Sequence, residues 1–182
     1  MTALSNKSRD VRAFRECLGQ YSTGVTVIAA VVDGKSFGVT ANSFSSLSLE
    51  PPMVLWSIAR TSRSFEAFQR SEAFAVNILA DSQVEISRRF SSKEENKFAT
   101  VDWRPGENGS PLIAGSAAEF ECTTTARHDG GDHVIIVGRV TRFASHRRNV
   151  LIFSQGRYRV GIDHPESISD KPIPAIRSVE KS

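Results

Sequence analysis

The sequence has 182 residues, 40% of them hydrophobic and 24% charged, so one domain of ordinary size can form a packed core without disulfides or metal ions. The formal net charge is only +3, and the basic residues are dispersed, which argues against a nucleic-acid binder. Two distant cysteines, Cys17 and Cys122, exclude a disulfide framework. No run of ~18 to 20 apolar residues indicates a membrane helix, and no secretion signal is visible. We therefore expect a cytoplasmic protein.

The start of the chain is predicted to contain a helix and a β-hairpin. Apolar side chains at helical spacing in residues 8–18 predict a helix. A β-branched run at residues 25–32 predicts a buried strand, because it lacks the polar alternation of an exposed one. Asp33-Gly34 then predicts a tight turn into a second strand at residues 36–42, since both residues tolerate positive φ.

The rest of the chain alternates further strands with short helices. We predict strands at residues 53–58, 73–79, 117–128, 132–143 and 151–158, and helical segments at residues 64–70, 82–90 and 94–99. Residues 102–115 contain two prolines and three glycines and predict a surface loop. Asp129-Gly130-Gly131 predicts another hairpin turn. We assign one domain to residues 1–162 and a polar tail to residues 163–182.

Strands joined by tight turns and interrupted by short helices favour a mainly β fold, an antiparallel barrel with a few flanking helices. The βαβ alternation of a doubly wound sheet is missing, and so is a G-x-G-x-x-G motif after a strand. A Rossmann-type dinucleotide site is therefore not supported. The sequence also lacks a G-x-S-x-G elbow, a P-loop and metal-ligand spacing, so we expect neither a serine hydrolase nor a metal site.

Two polar segments follow predicted strands and are candidates for ligand binding. Residues 40–46 combine small hydroxyl and amide side chains, which suit the polar edge of a planar ligand. An ordinary polar loop is the alternative. Residues 57–64 bring hydroxyls and two arginines to a helix start, which suits a phosphate. The alternative there is an N-cap at Ser62 or Ser64 with solvated arginines.

Two further candidates lie in the second half of the chain. Residues 88–98 place basic groups near a helix end, where they either complete an anion site or only interact with the helix dipole. His133 follows two glycines at a predicted strand start and is suited to contact a planar ligand, although a structural histidine is the alternative. Asp132 and His133 would point to opposite faces of a strand, so we do not expect them to act as a pair.

Together these segments resemble a known family. The matching motifs are GQYSTGVTV at residues 19–27, TANSFSSLSLEPP at residues 40–52 and GDH at residues 131–133, in that order and spacing. They resemble the flavin reductase component of two-component flavin-dependent monooxygenases, over about residues 9–161. The resemblance implies an FMN-binding split β-barrel with Greek-key strand order.

The resemblance also implies which residues hold the ligands. The positions that match the family's flavin site are Thr23, Val25, Thr40, Ala41, Asn42, Ser43, Ser46, Ser57, Ile58, Ala59, Ser62, Ser64, Arg89, Phe90, Ser91 and Lys97. His133 matches the histidine associated with NADH binding, and Tyr158 is expected near the same entrance. No catalytic acid or base is expected, because the flavin carries the chemistry and the protein positions two rings.

The implied function is that of an NAD(P)H:flavin oxidoreductase that reduces FMN or FAD and supplies the reduced flavin to a separate monooxygenase. No conspicuous arginine pair marks a 2′-phosphate site, which favours NADH over NADPH. The resemblance implies a homodimer, because each barrel of the family borrows surface from a second copy. We expect no nucleic-acid or membrane partner. The alternative is an electron carrier of the same fold that takes its electrons from a protein.

Overall fold

The fold is built mainly from antiparallel strands. A computed structural model describes residues 7–164, so residues 165–182, most of the predicted tail, lie outside the described residues. The helices are α1 (Lys7–Leu18), α2 (Phe65–Arg70) and α3 (Val84–Ser91), and a 3-10 turn at Asp81–Gln83 precedes α3. The strands are β1 (Thr23–Gly24), β2 (Thr26–Val32), β3 (Lys35–Ala41), β4 (Ser45–Leu49), β5 (Pro52–Ala59), β6 (Ala73–Ile78), β7 (Trp103–Pro105), β8 (Pro111–Ile113), β9 (Ala118–Gly130), β10 (His133–Ser145), β11 (Leu151–Ser154) and β12 (Arg157–Val160). None of these helices has the length and apolar character needed to cross a bilayer.

Seven strands form the main sheet, in the order β3-β2-β6-β9-β10-β5-β4, and all neighbours are antiparallel. The edge strands β3 and β4 are consecutive in the chain and are joined only by residues 42–44. Six spacings of about 4.8 Å would separate the edges of a flat sheet by about 29 Å. A three-residue link spans at most about 14 Å. The sheet must therefore curl until its edges approach, which produces the predicted split barrel.

The strand order confirms the predicted Greek-key character. Although β6 is the next strand after β5 in the chain, it pairs with β2 and β9 and does not pair with β5. Two smaller sheets flank the barrel, one formed by β1, β11 and β12 and the other by β7 and β8.

Apolar side chains pack on both faces of the curled sheet. In one cluster Trp56 contacts Phe68 and Phe74 edge-on, with ring centroids 4.9 and 6.0 Å apart, and all three rings are fully buried. A second cluster contains Val27 of β2 and Phe90 of α3, both fully buried. Because β2 contributes side chains to both clusters, its sequence is a β-branched run without polar alternation.

The prediction of a surface loop at residues 102–115 is wrong, because this segment contains the hairpin of β7 and β8. Ile113 of β8 is fully buried. The hairpin is held by the fully buried Asn77, whose amide nitrogen donates to the carbonyls of Val27 and Pro111 and whose Oδ1 accepts from the Ile113 N–H at 2.8 Å. The prolines and glycines of this segment are typical of a loop, so its sequence does not predict strands. The side chain that holds the hairpin also belongs to a distant strand, β6.

Three smaller predictions also differ from the structure. Residues 94–99 form irregular turns instead of helix. Residues 151–158 contain two strands, which are separated by Gln155-Gly156 at positive φ. The late hairpin turns at Gly131-Asp132, because β9 continues through Gly130 and pairs it with His133. The other helices and strands agree closely with the sequence-based prediction, although β1 and β4 were not predicted as separate strands.

Replacing Asn77 with alanine should lower the free energy of unfolding by about 2 to 4 kcal/mol, because three buried hydrogen bonds are lost and the Ile113 N–H stays unpaired. Urea unfolding followed by circular dichroism measures this. The control is Asn149→Ala at an exposed asparagine, which should change stability by less than about 0.5 kcal/mol. Equal stability of the two variants would contradict the role given to Asn77.

Candidate functional site

The link between the two sheet edges forms the centre of the candidate site. Ser43 Oγ donates to the Ser57 carbonyl and accepts from the Ser57 N–H, both at 3.0 Å. These two bonds attach the link to the end of β5, 14 residues further along the chain. Asn42, the neighbouring residue, is exposed. The first two polar segments predicted from the sequence are therefore adjacent in the structure.

His133 reaches the same region from the start of β10. Its backbone pairs with Ala59, the last residue of β5, and Ile135 pairs with Ser57. The His133 side chain is 44% exposed, and its Nδ1 lies 2.7 Å from Asp132 Oδ1. The expectation that Asp132 and His133 point to opposite faces of a strand is wrong, since their side chains are in contact; whether the two residues act together in catalysis stays a prediction. Asp132 lies in the turn and not in the strand, so its carboxylate is able to reach the imidazole.

The contact with Asp132 orients the His133 ring. The hydrogen bond from His133 lowers the pKa of the Asp132 carboxyl below its ordinary value, so the carboxylate is ionised near neutral pH. A carboxylate at Nδ1 fixes the plane of the imidazole and makes Nε2 the nitrogen that is presented to a ligand.

Two arginines connect the turn after β5 to neighbouring segments. Arg60 Nε donates to the Gly131 carbonyl at 2.9 Å, and Arg60 Nη2 pairs with Asp129 at 2.7 Å. Arg63 Nη1 donates to the Lys93 carbonyl at 2.6 Å. The first arginine thereby braces the turn that carries His133, and the second joins the start of α2 to the segment that follows α3.

Ser62 and Ser64 lie between these contacts. Ser62 Oγ accepts from the Ser64 N–H at 3.3 Å, and the Ser62 carbonyl accepts from the Phe65 N–H at 3.0 Å. Ser64 is the N-cap residue of α2, as the alternative interpretation proposed, but its hydroxyl makes no capping hydrogen bond.

Thr40 and Tyr158 are connected through α3. Thr40 Oγ1 donates to the Ser87 carbonyl at 2.7 Å, and Ser87 Oγ lies 2.9 Å from the Tyr158 hydroxyl. The Arg88 guanidinium lies 5.8 Å from the centroid of the Tyr158 ring. The structure thus positions Tyr158 against α3 and His133 against the end of β5, so the two predicted nicotinamide residues are held by different elements of the chain.

Lys97 and Phe90 organise the segment after α3. The Lys97 ammonium donates to the carbonyls of Phe90 at 2.7 Å and Gly38 at 3.5 Å, and burial lowers its pKa from the ordinary value. The Phe90 ring is fully buried against Gly38, where an added Cβ would collide with it. Phe90 therefore packs α3 onto β3. Because its ring is buried, only its backbone is available to contact a ligand. Arg89 and Ser91 make local bonds in and just after α3.

The remaining predicted residues differ in their burial. Thr23 lies in β1 beside β11, and its buried Oγ1 has no hydrogen-bond partner within the described part of the chain. Val25 and Ala41 are buried, at 2% and 9% exposure. Ser46 is exposed on the edge strand β4.

A cavity of about 540 Å³ lies beside these segments. Arg63 and Lys97 line it together with Lys35, and Phe98 and Trp103 form an aromatic part of its wall. Lys35 and Trp103 were not among the residues predicted from the sequence. A lysine after a hairpin turn is uninformative, but a tryptophan in a presumed polar loop was a signal, because so large a ring is rarely left in solvent.

The comparison with protein families agrees with this geometry. Residues 18–161 match the family described as flavin reductase like domain. The match extends from the end of α1 to just beyond β12 and includes all the predicted site residues. The chain belongs to the flavin reductase like family.

Three similar proteins illustrate the relationship. The reductase subunit HsaB of a flavin-dependent monooxygenase from Mycobacterium tuberculosis is 46% identical over 152 residues, which cover 82% of this chain and 81% of HsaB. FMN reductase (NADH) SmoA of Agrobacterium fabrum is 44% identical over 147 residues, covering 81% of this chain and 84% of SmoA. The solved structure of the NADH:FAD oxidoreductase SgcE6 from Streptomyces globisporus, with NAD and FAD fragments, matches with a TM-score of 0.81 and 35% identity over 91% of this chain and 99% of that one. The predictions of a split barrel and a flavin reductase are confirmed, while the individual site residues stay predictions.

Ser43→Ala should raise the flavin dissociation constant about five- to tenfold, because the link loses both hydrogen bonds to β5. Titration of flavin fluorescence with the purified protein measures the constant. Ser45→Ala, which removes an exposed hydroxyl two residues away, is the matched control and should leave it unchanged. If both variants bind flavin like the parent protein, the link does not contact the flavin.

Proposed function

We propose that this chain reduces FMN or FAD with NADH and supplies the reduced flavin to a separate monooxygenase. The proposal depends on one observation: two predicted parts of the site lie against the end of β5. The link at residues 42–44 is hydrogen-bonded to Ser57, and His133 of β10 pairs with Ala59. The names of the relatives support it, since HsaB is the reductase subunit of a flavin-dependent monooxygenase and the SgcE6 structure contains both NAD and FAD fragments.

The residues at the barrel opening fit a flavin. Thr23 Oγ1 is a buried hydroxyl that lacks a partner within the described residues, and a bound ligand would satisfy it. Asn42 and Ser46 are exposed and offer amide and hydroxyl groups to the polar edge of a ring and its side chain. Ser43 and Ser57 provide rigid backbone behind them. We assign the flavin to the predicted positions around this opening.

The chemistry assigned to the chain is positioning. A bound flavin supplies the redox step by accepting a hydride from the nicotinamide. The protein must hold the two planar rings at a near-attack distance of ~3 to 3.5 Å. The link, hydrogen-bonded to β5, would hold one ring, and His133, oriented by Asp132 and paired with Ala59, would hold the other. No proton has to be moved by a catalytic triad, in agreement with the sequence.

The exposure of this opening suits release of the product. Asn42 and Ser46 are exposed, and His133 is partly exposed. Arg60 and Arg63 donate to protein groups, so they brace the site while neutral groups form its rim. A reduced flavin whose ring is held by neutral, half-exposed groups would be able to leave for a partner enzyme.

An electron carrier that receives electrons from a protein is the alternative. The position of His133 beside the end of β5 favours direct use of a nicotinamide, and so does the word NADH in the name of SmoA. Oxidation of NADH by the purified chain with added FMN or FAD separates the two functions. Absence of oxidation with both NADH and NADPH would support the carrier.

His133→Ala should raise the KM for NADH about tenfold, because the ring that holds the nicotinamide is lost, and should change the flavin dissociation constant less than about twofold. Steady-state NADH oxidation and flavin titration measure the two effects. His128→Ala, at an exposed histidine of β9, is the matched control. An unchanged KM for NADH would remove His133 from the site.

A homodimer, in the cytoplasm where NADH is available, is part of the proposal. α1 presents Val11, Phe14 and Leu18 on one face, and they are 49%, 60% and 56% exposed. An apolar face of this kind is typical of an interface. A second copy is the occupant that we propose for it, because the family resemblance implies two barrels that share surface.

Phe14→Glu should convert the dimer into a monomer, since a carboxylate would be buried in the apolar contact. Sedimentation velocity measures the mass. Ala13→Glu adds the same charge on a different face of α1 and should leave the dimer intact. A monomeric parent protein would contradict the dimer, and a dimeric Phe14→Glu protein would show that α1 is outside the contact.

A further inference from the structure

Arg60 follows β5 directly and holds the hairpin turn that precedes His133. Two nitrogens of its guanidinium donate to this turn, Nε to the Gly131 carbonyl at 2.9 Å and Nη2 to Asp129 Oδ1 at 2.7 Å. The backbone N–H of Arg60 donates to the Asp132 carbonyl at 2.9 Å. The contact of the Arg60 side chain with Asp129 and Gly131 is called the turn clamp below.

The turn clamp has a defined geometry. Asp129 Oδ1 also accepts from the Gly131 N–H at 3.2 Å, so one carboxylate oxygen joins the arginine to the backbone of the turn. The hydrogen bond from Arg60 lowers the pKa of the Asp129 carboxyl, which is therefore ionised near neutral pH. The guanidinium carbon of Arg60 lies 5.9 Å from the centroid of the Phe65 ring of α2, which gives the arginine a second support.

Stability is a weak explanation for the turn clamp. Asp129 is 77% exposed, and exposed ion pairs contribute little to the free energy of unfolding, because water and salt screen them. The strands on either side of the turn are already paired, from Gly130 and His133 onward. A comparable exposed pair, Arg70 with Asp33 at 2.7 Å, lies at another hairpin turn. The turn clamp differs from that pair because His133 follows the turn that it holds.

The turn clamp is connected to His133 through the backbone of the turn. The Asp132 carboxylate contacts His133 Nδ1 at 2.7 Å, although the Asp132 side chain is 94% exposed. Since few packing contacts fix so exposed a side chain, its direction depends on the backbone that carries it. The Arg60 guanidinium holds the Gly131 carbonyl, which belongs to the peptide bond that leads into Asp132. A shift of this peptide would therefore move the Asp132 carboxylate and the plane of the His133 ring.

We propose that Arg60 and Asp129 are positioning residues for the hydride donor: the turn clamp sets the orientation of His133, and neither residue contacts the dinucleotide. The inference rests on the proposed function and goes beyond it by assigning residues that position the nicotinamide and not the flavin. The sequence at residues 57–64 suggested a phosphate site, but Nε and Nη2 of Arg60 donate to protein groups. The described lining of the cavity of about 540 Å³ does not include Arg60.

The test is steady-state oxidation of NADH by the full chain with saturating FMN, together with flavin titration. Arg60→Gln removes the guanidinium and should raise the KM for NADH about fivefold, while kcat and the flavin dissociation constant change less than about twofold. Arg70→Gln removes the arginine of the other exposed pair and is the matched control, which should leave all three constants unchanged. An Arg60→Gln protein with the parent KM for NADH would overturn the proposal.

Asp129→Ala separates positioning from direct contact with the dinucleotide. If Arg60 bound a phosphate of NADH, loss of the Asp129 carboxylate would free the guanidinium and remove a negative charge near the anion, so the KM for NADH would fall. Loss of the turn clamp has the opposite effect, and we expect the KM to rise about fivefold. A lowered KM would overturn the proposal and assign Arg60 to the dinucleotide.

A double-mutant cycle tests whether the turn clamp acts through His133. His133→Ala alone should raise the KM for NADH about tenfold, and addition of Arg60→Gln should change it less than about twofold further, because no ring is left to orient. Independent effects would multiply to about fiftyfold and would overturn the proposal. A parent protein that oxidises no NADH with either flavin would contradict the proposed function. An active parent protein with an unaltered Arg60→Gln variant would contradict only this inference.

Discussion

The structure depends on a covalent constraint: three residues, 42–44, join the two outermost strands of a seven-stranded sheet. The edges of a flat sheet would be too far apart for this link to span. The sheet therefore curls, and its edges approach each other where the link is located. The same link is then held against β5 by the paired hydrogen bonds of Ser43 and Ser57. The curl of the sheet and the assembly of the candidate site therefore depend on the same three-residue link.

Burial on both faces of the sheet determines what surrounds this opening. The inner cluster around Trp56 makes the barrel a solid support, while the outer cluster attaches α3 and the β7–β8 hairpin to its outside. Close packing of Phe90 on Gly38 brings the segment after α3 to β3, and Lys97 arrives with it. Lys97, the charged group that packs against β3 beside the proposed flavin opening, is thus positioned by apolar contacts at the outer face.

Rigid backbone and exposed rim have different roles in the site. Ser43, Ser57 and Arg60 are committed to hydrogen bonds within the protein and define the position of the surface. Asn42 is exposed, and so, in part, is His133, although Asp132 orients its ring. This division suits a protein that places two planar molecules against each other and then releases one, because the backbone supplies position while the exposed groups Asn42 and Ser46 at the opening are neutral.

The sequence by itself determined most helices and strands, because hydrophobic periodicity and turn chemistry are local properties. The β-branched run at residues 25–32 indicated a buried strand, and Asp33-Gly34 indicated the turn that follows it. It also identified the polar segments at residues 40–46 and 57–64 and their resemblance to a family that the comparisons confirm. Only the tertiary structure decided which segments meet. The β7–β8 hairpin depends on Asn77, 36 residues before Ile113, and His133 pairs with Ala59, 74 residues before it. Contacts of this kind join residues that are far apart in the sequence. Local sequence patterns therefore do not predict them, because they form only when the chain folds.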